Sequence, residues 1–135
     1  MTPRTAALAL TLASALLVPA AAAAQTGDLS VVEARDALTR RDKSRLAALK
    51  LATAQHPLAS WVDYWELGNR LAQAQQADLD AFYERWRGSY VEDRLRNDWL
   101  LELGRRRDWA TLRAEFPRFR MNDDSEVTCY ALLAT

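Results

Sequence analysis

The chain has 135 residues, with 18 basic side chains, 18 acidic ones and a single histidine, so its formal charge at neutral pH is zero. That balance gives no electrostatic case for a nucleic-acid partner, which would call for a basic face. A single histidine also excludes multi-histidine metal centres and argues against a zinc site. Isoleucine is absent, and Ala, Leu and Arg dominate. These are strong helix formers, and no apolar run of period two bounded by turn residues interrupts them. The fold class expected is all-α.

Residues 1–24 read as an export signal rather than as part of the fold. Arg4 supplies a positive start, Ala6 to Val18 is apolar and uncharged, Pro19 breaks the run, and Ala22-Ala23-Ala24 followed by Gln25 fits a small-x-small cleavage site. The apolar run is short of the roughly 20 residues a membrane-spanning helix needs. Cleavage after Ala24 would leave residues 25–135 in the periplasm, with 17 basic against 18 acidic side chains and no membrane span.

The remainder divides into helical hairpins. In the first, Asp28 to His56, Ser30 and Glu33 have capping-box spacing, with Val31, Ala34 and Leu38 behind them. Arg40-Arg41 should close that helix at its negative pole. Asp42 should cap the second helix, which carries Leu46, Ala47, Leu49, Leu51 and Ala54 and stops at His56-Pro57. The second hairpin opens at Leu58 with the most aromatic helix: Trp61, Val62, Tyr64, Trp65, Leu67, Leu71. Apolar residues cover more than one stripe there, so contact on two sides is expected. Gly68 inside it implies close approach of a neighbour. Asp78 should cap the next helix, in which Leu79, Phe82, Tyr83 and Trp86 fit i, i+3, i+4, i+7, and Gly88 should end it.

The third hairpin organises the chain. Ser89 and Glu92 again have capping-box spacing, and Val91, Leu95, Trp99 and Leu103 step by four, with Leu100 widening the stripe. Gly104 and Arg105-Arg106-Arg107 should end this helix. Asp108 should cap the next, whose face reads Trp109, Leu112, Phe116. A further helix starts near Ser125. The capping acids Asp42, Asp78 and Asp108 recur at a spacing close to the period of tetratricopeptide arrays, although that consensus itself does not fit. The expected architecture is an irregular stack of antiparallel helical hairpins, a tetratricopeptide-like α-superhelix stabilised by its neighbours. The apolar side of Val127, Tyr130, Leu132 and Leu133 should lack a partner helix and fray.

Chemistry is scarce. His56, before a proline at a helix end, reads as a cap rather than as the base of a triad, since no nucleophile elbow accompanies it. Arg105-Arg106-Arg107 read as support for a helix C-terminus, and Asp123-Asp124 as a cap for the helix at Ser125 rather than a calcium site. The five tryptophans, Trp61, Trp65, Trp86, Trp99 and Trp109, sit at core positions, and most should be buried rather than serve as sugar platforms. Every carboxylate reads as a cap or a solvated helix face, without the apolar pocket a glycosidase acid needs. Cys129 is the lone cysteine, which leaves a free thiol, an intermolecular bridge or a partner outside this sequence. No catalytic, cofactor-binding or metal-binding residue is assigned.

Several short blocks, in order, resemble the N-terminal region of bacterial soluble lytic murein transglycosylases. They are His56-Pro57-Leu58-Ala59, Tyr64-Trp65, Tyr90 through Leu100, Arg107-Asp108-Trp109, Phe116-Pro117-Arg118-Phe119, Asn122-Asp123-Asp124 and Cys129-Tyr130-Ala131-Leu132. The resemblance covers most of 43–135. It implies that residues 25–135 are the N-terminal part of a longer superhelical ring carrying a lysozyme-like domain. That domain's single glutamate would cleave peptidoglycan glycan strands to 1,6-anhydro products. The family's Glu-Ser and Gly-Leu-Met-Gln motifs are absent here, so peptidoglycan would be met only through a catalytic domain this chain lacks. The resemblance also implies that Cys129 pairs with a cysteine beyond Thr135. A free-standing periplasmic helical-repeat module that binds a protein partner is the alternative.

Overall fold

The computed structural model describes residues 20–135, and among them the fold is all-α. Seven α-helices follow in order: α1 (Ala20–Thr39), α2 (Lys43–Ala52), α3 (Ala59–Asn69), α4 (Gln76–Arg85), α5 (Tyr90–Arg106), α6 (Trp109–Glu115) and α7 (Ser125–Leu133). Residues 1–19, which hold most of the expected export segment, lie outside the described residues.

Helices α1, α3, α5 and α7 contact one another in succession, while α2 packs on α1 and α3, and α6 on α5 and α7. One core gathers Val31, Ala34, Leu46, Leu49 and Val62 around α1–α3. A larger one runs from Leu67 through Leu79, Phe82, Leu95, Trp99, Leu100 and Leu112 to Val127. The apolar steps of four along α5 are all buried, as helical spacing requires. Contact of α3 on two sides also holds, with α1 and α2 on one side and α5 on the other.

Two of the helix junctions repeat one device. Arg41 and Arg107 adopt left-handed backbone, at φ 55° and 57°. The following acids, Asp42 and Asp108, donate their amides back to Ala37 O and Leu103 O, closing the preceding helix in the Schellman manner. The same aspartates then cap the next helix, accepting from Arg45 N at 2.9 Å and Thr111 N at 3.2 Å. Beyond each cap, Leu46 and Leu112 are fully buried. One Arg-Arg-Asp-x-x-x-Leu segment, at 40–46 and again at 106–112, therefore makes both turns.

Several expectations need correction. Helix α1 begins at Ala20, so Ser30 is interior and donates its hydroxyl to Thr26 O at 3.0 Å instead of capping, while Glu33 pairs with Arg45. Helix α2 stops at Ala52, before His56-Pro57, where Thr53 turns its hydroxyl onto Leu49 O at 2.8 Å. Asp78 lies inside α4 rather than ahead of it, and accepts the Gln75 amide at 2.8 Å. Glu92 reaches back to Gly88 N, at 2.6 Å, just before the Ser89 cap. Gly68 has no neighbour near the place of a Cβ, so no close approach explains it. Gly104 does not end α5: it is buried within the helix, and a Cβ there would fall inside the van der Waals shell of the Tyr130 ring. Tyr130 is thus packed on α5 and tilted against Trp109, and Val127 is buried, whereas Leu132 and Leu133 are exposed.

Candidate functional site: the polar interlock of α5

Helix α5 buries ten of its seventeen residues, so it meets neighbours on nearly every side. Beside its apolar stripe run Glu92, Asp93, Arg96 and Asn97, a second face at helical spacing. This face holds the segment between α6 and α7. Asp93, 1% exposed, accepts the backbone amides of Arg120 (3.1 Å) and Met121 (2.7 Å). Asn97 donates to Asp124 at 3.1 Å, and Asp124 in turn accepts from Glu126 N and Val127 N to start α7. Burial opposes the Asp124 charge, but the hydrogen bonds from Asn97 and those two amides hold its carboxyl below the usual range.

Arg96, 4% exposed, sits at the centre. It donates to Glu92 at 3.1 Å, lies 3.6 Å from Asp93, faces Glu115 at 3.5 Å and covers the Tyr83 ring at 4.1 Å. Glu115 also accepts from Gln76 at 3.2 Å and Arg118 at 3.1 Å. Burial pushes the Tyr83 hydroxyl up, and its oxygen has no hydrogen-bond partner. An open cleft of about 400 Å³ lies above, lined by Asp80, Tyr83, Glu84, Arg87, Glu92, Arg96 and Arg118. Three carboxylates and three guanidiniums face each other there, so the cleft carries no net charge.

A second knot ties α3 to its neighbours. Asp63 accepts from the Trp86 indole N–H at 2.7 Å and forms an ion pair with Lys50 at 2.8 Å, and Glu66 accepts from Arg70 at 2.7 Å. Tyr64 donates to Asp98 at 2.6 Å across α3 and α5; burial and that carboxylate push its hydroxyl up to about 12. Asp63, Glu66, Asp93 and Glu115 were expected as caps or on solvated faces. They are buried instead, each facing cationic or amide donors, although Glu115 Oε2 meets Arg96 only as an ion pair and has no hydrogen bond. An arginine at i+4 accompanies Glu66, but not Asp63, Asp93 or Glu115, and the exposed pair Asp36–Arg40 has the same spacing, so no local signal marks these acids as buried.

The singled-out residues take structural posts. His56 accepts the Leu58 amide on Nδ1 at 3.0 Å, which leaves Nε2 to donate to Asp28 at 2.7 Å. Both ring nitrogens are engaged, and the ring pins the α2–α3 turn to α1 rather than capping α2. Arg105-Arg106-Arg107 are dispersed. Arg106 crosses to the α3–α4 connection, donating to Leu71 O (2.9 Å), Ala72 O (3.0 Å) and Ala74 O (3.1 Å) while stacking over Trp99 at 4.8 Å. It therefore closes a neighbouring turn instead of its own helix. Asp124 caps α7 as expected, while Asp123 is exposed. Of the tryptophans only Trp99 is fully buried, its indole donating to Gln76 at 2.8 Å. Trp61, Trp65, Trp86 and Trp109 are half-buried at the edges of the two cores, because short helices leave one edge of a large ring in solvent. Cys129 is exposed and unpaired. Among the described residues no cluster of three His, Cys, Asp or Glu side chains suits a metal ion.

What this arrangement does is hold shape: Asp63, Glu66, Asp93 and Asp124 each tie their helix to a neighbouring element. No protein-family model, curated protein or solved structure matches the chain.

Proposed function

We propose that this chain is a scaffold segment of a periplasmic lytic murein transglycosylase, its helical pairs forming part of a tetratricopeptide-like superhelix. Residues 1–24 would direct its export, and the cleavage of glycan strands to 1,6-anhydro products would belong to a catalytic domain outside this sequence. One observation carries the reading: several of the blocks that resemble that family meet one another in the fold. Tyr64 meets Asp98, Asn97 holds Asp124, Asp108 caps α6, and Asp93 holds the Arg120 and Met121 amides that join two of the blocks. The resemblance thus falls on contacts that set the relative positions of helices, as a scaffold needs, rather than on a reaction centre.

Muropeptide analysis tests it. Deleting the gene should lower the share of 1,6-anhydromuropeptides in the wall, and purified 25–135 should release none by itself. An unchanged profile on deletion, or release by the isolated chain, would refute the reading. A second reading, a free-standing protein-binding helical module without enzymatic activity, is favoured by the exposed leucines of α7 beside an apolar groove. The reading frame downstream of Thr135 separates the two: a lysozyme-like domain belongs to the first reading alone.

A further inference from the structure

A glycine inside a helix is costly unless its missing side chain serves something, and Gly68 serves no contact within the protein: no atom lies within 4 Å of the place its Cβ would take. What lies beside it is a hollow of about 350 Å³ between α3 and α5. Gly68 and Asn69 wall it on one side, and Asp98, Leu101 and Glu102 on the other. Asn69 Nδ2 is buried and has no hydrogen-bond partner. An unpaired buried donor is uncommon in a folded protein, and this one belongs to a wall of the hollow that the glycine keeps open.

The hollow ends a longer seam. Helices α3 and α5 run the same way, with the Trp61 ring 5.8 Å from that of Tyr90, Tyr64 on Asp98 at 2.6 Å, and Gly68 across from Leu101. Trp61, Tyr64 and Gly68 share one face of α3, and Tyr90, Arg94, Asp98 and Glu102 share one face of α5. Tyr90 is 59% exposed, while Trp61 and Tyr64 are half-buried and packed edge to face, so fixed aromatic surface stays open to solvent. Arg94 and Arg105 balance Asp98 and Glu102, so the seam carries no net charge with which to select an ion.

Aromatic faces, an amide donor and carboxylate acceptors in one uncharged seam match a single ligand chemistry. A neutral N-acetylated sugar offers an apolar ring face to the aromatics, a carbonyl oxygen to Asn69, hydroxyl and N–H donors to Asp98 and Glu102, and a methyl group to Leu101. We propose that the α3–α5 seam binds a neutral oligosaccharide of N-acetylated sugars, with rings on Trp61 and Tyr90 and an acetamido group in the hollow at Gly68. From Trp61 to Gly68 the seam rises roughly 10 Å along α3, longer than a single sugar ring. The inference goes beyond the transglycosylase reading and stands apart from it: the muropeptide profile tests that reading, and ligand titration tests the seam.

Titrating the purified chain with an N-acetylglucosamine tetramer should change the tryptophan fluorescence saturably and move the amide resonances of Trp61, Gly68 and Asn69 together. Gly68→Leu should abolish binding without lowering the melting temperature, because the new side chain enters open space and leucine is the better helix former. Tyr90→Ala, at an exposed position, should weaken binding about tenfold. Leu29→Ala, on α1, should leave it unchanged. An acetylated, amidated alanine tripeptide should give no response. No saturation by the sugar, binding that survives Gly68→Leu, or equal affinity in Tyr90→Ala would overturn the proposal. So would binding lost in Leu29→Ala, or saturation by the peptide.

Discussion

Gly68 and Gly104 occupy the interiors of two neighbouring helices, and their surroundings call for opposite responses to the same substitution. No atom stands where a Cβ on Gly68 would go, so Gly68→Ala should raise stability by roughly 0.5–1 kcal/mol through helix propensity alone. At Gly104 the Tyr130 ring occupies that place, and Gly104→Ala should cost about 1–3 kcal/mol as α7 is pushed off α5. Urea denaturation of the two variants should move the midpoint in opposite directions. Asp93 gives a larger effect. Its carboxylate satisfies two backbone amides and faces Arg96 in the interior. Asp93→Ala should therefore cost about 3–5 kcal/mol, because a buried cation and two amides lose their acceptor. A midpoint close to that of the parent would show that the 116–124 segment is held by other contacts.

At the scale of the element, α7 depends on a side chain of α5. Nine residues are too few for a helix to be stable alone in water. Asp124 supplies the cap, and Asn97 fixes that cap from α5. Because the folded carboxyl titrates below its ordinary value, the sign of the pH effect follows. The stabilisation is fully present above the unfolded value, near 3.9 for aspartate, and is lost as pH falls through the lower folded value. Glu102 behaves alike: burial opposes its charge, but Arg106 and Arg105 outweigh that and hold it low. Thermal melts should thus fall away in acid below about pH 4. Asp124→Asn should flatten part of that limb while leaving the melting temperature near pH 7 lower than the parent's. An acid limb identical to the parent's would exclude this coupling.

For the whole molecule, stability should be graded along the helical series, since each pair of helices is supported mainly by its neighbours. The α1–α3 core is small and rich in alanine, whereas the core around α5 collects Leu79, Phe82, Leu95, Trp99, Leu100, Leu103 and Leu112. Apolar burial scales with area, so α5 should exchange its amides only through global opening. Helices α1 and α2, and the last residues of α7 beyond Tyr130, should open at lower cost. Native-state hydrogen exchange checks the order: strongest protection in α1–α2, or uniform protection throughout, would contradict it.

Local pattern located most of the elements, though not the start of α1, the end of α2 or the start of α4. Helical spacing in Leu79-Phe82-Tyr83 and Val91-Leu95-Trp99-Leu103 located the buried stripes, and Asp42, Ser89, Asp108 and Asp124 marked helix starts. The reason is that periodicity and capping act within a few residues of the chain, where separation in sequence is separation in space. Where partners are distant in sequence, local rules assigned the wrong post. Gly104 looked like a helix stop, yet the left-handed position fell to Arg107, because Tyr130, from a later helix, requires the missing Cβ and Asp108 fixes the turn. Arg106 looked like a support for its own helix, and closes a turn two helices earlier in the chain. Asp63, Glu66, Asp93 and Glu115 looked solvated, since a charge is buried only when cationic or amide donors meet it there. From α2 onward, sequence by itself determined which stretches are helical and where the main apolar stripes lie, although not every helix boundary. Only the tertiary structure decided which charged side chains go inside, because their burial depends on partners that folding alone brings within hydrogen-bonding reach.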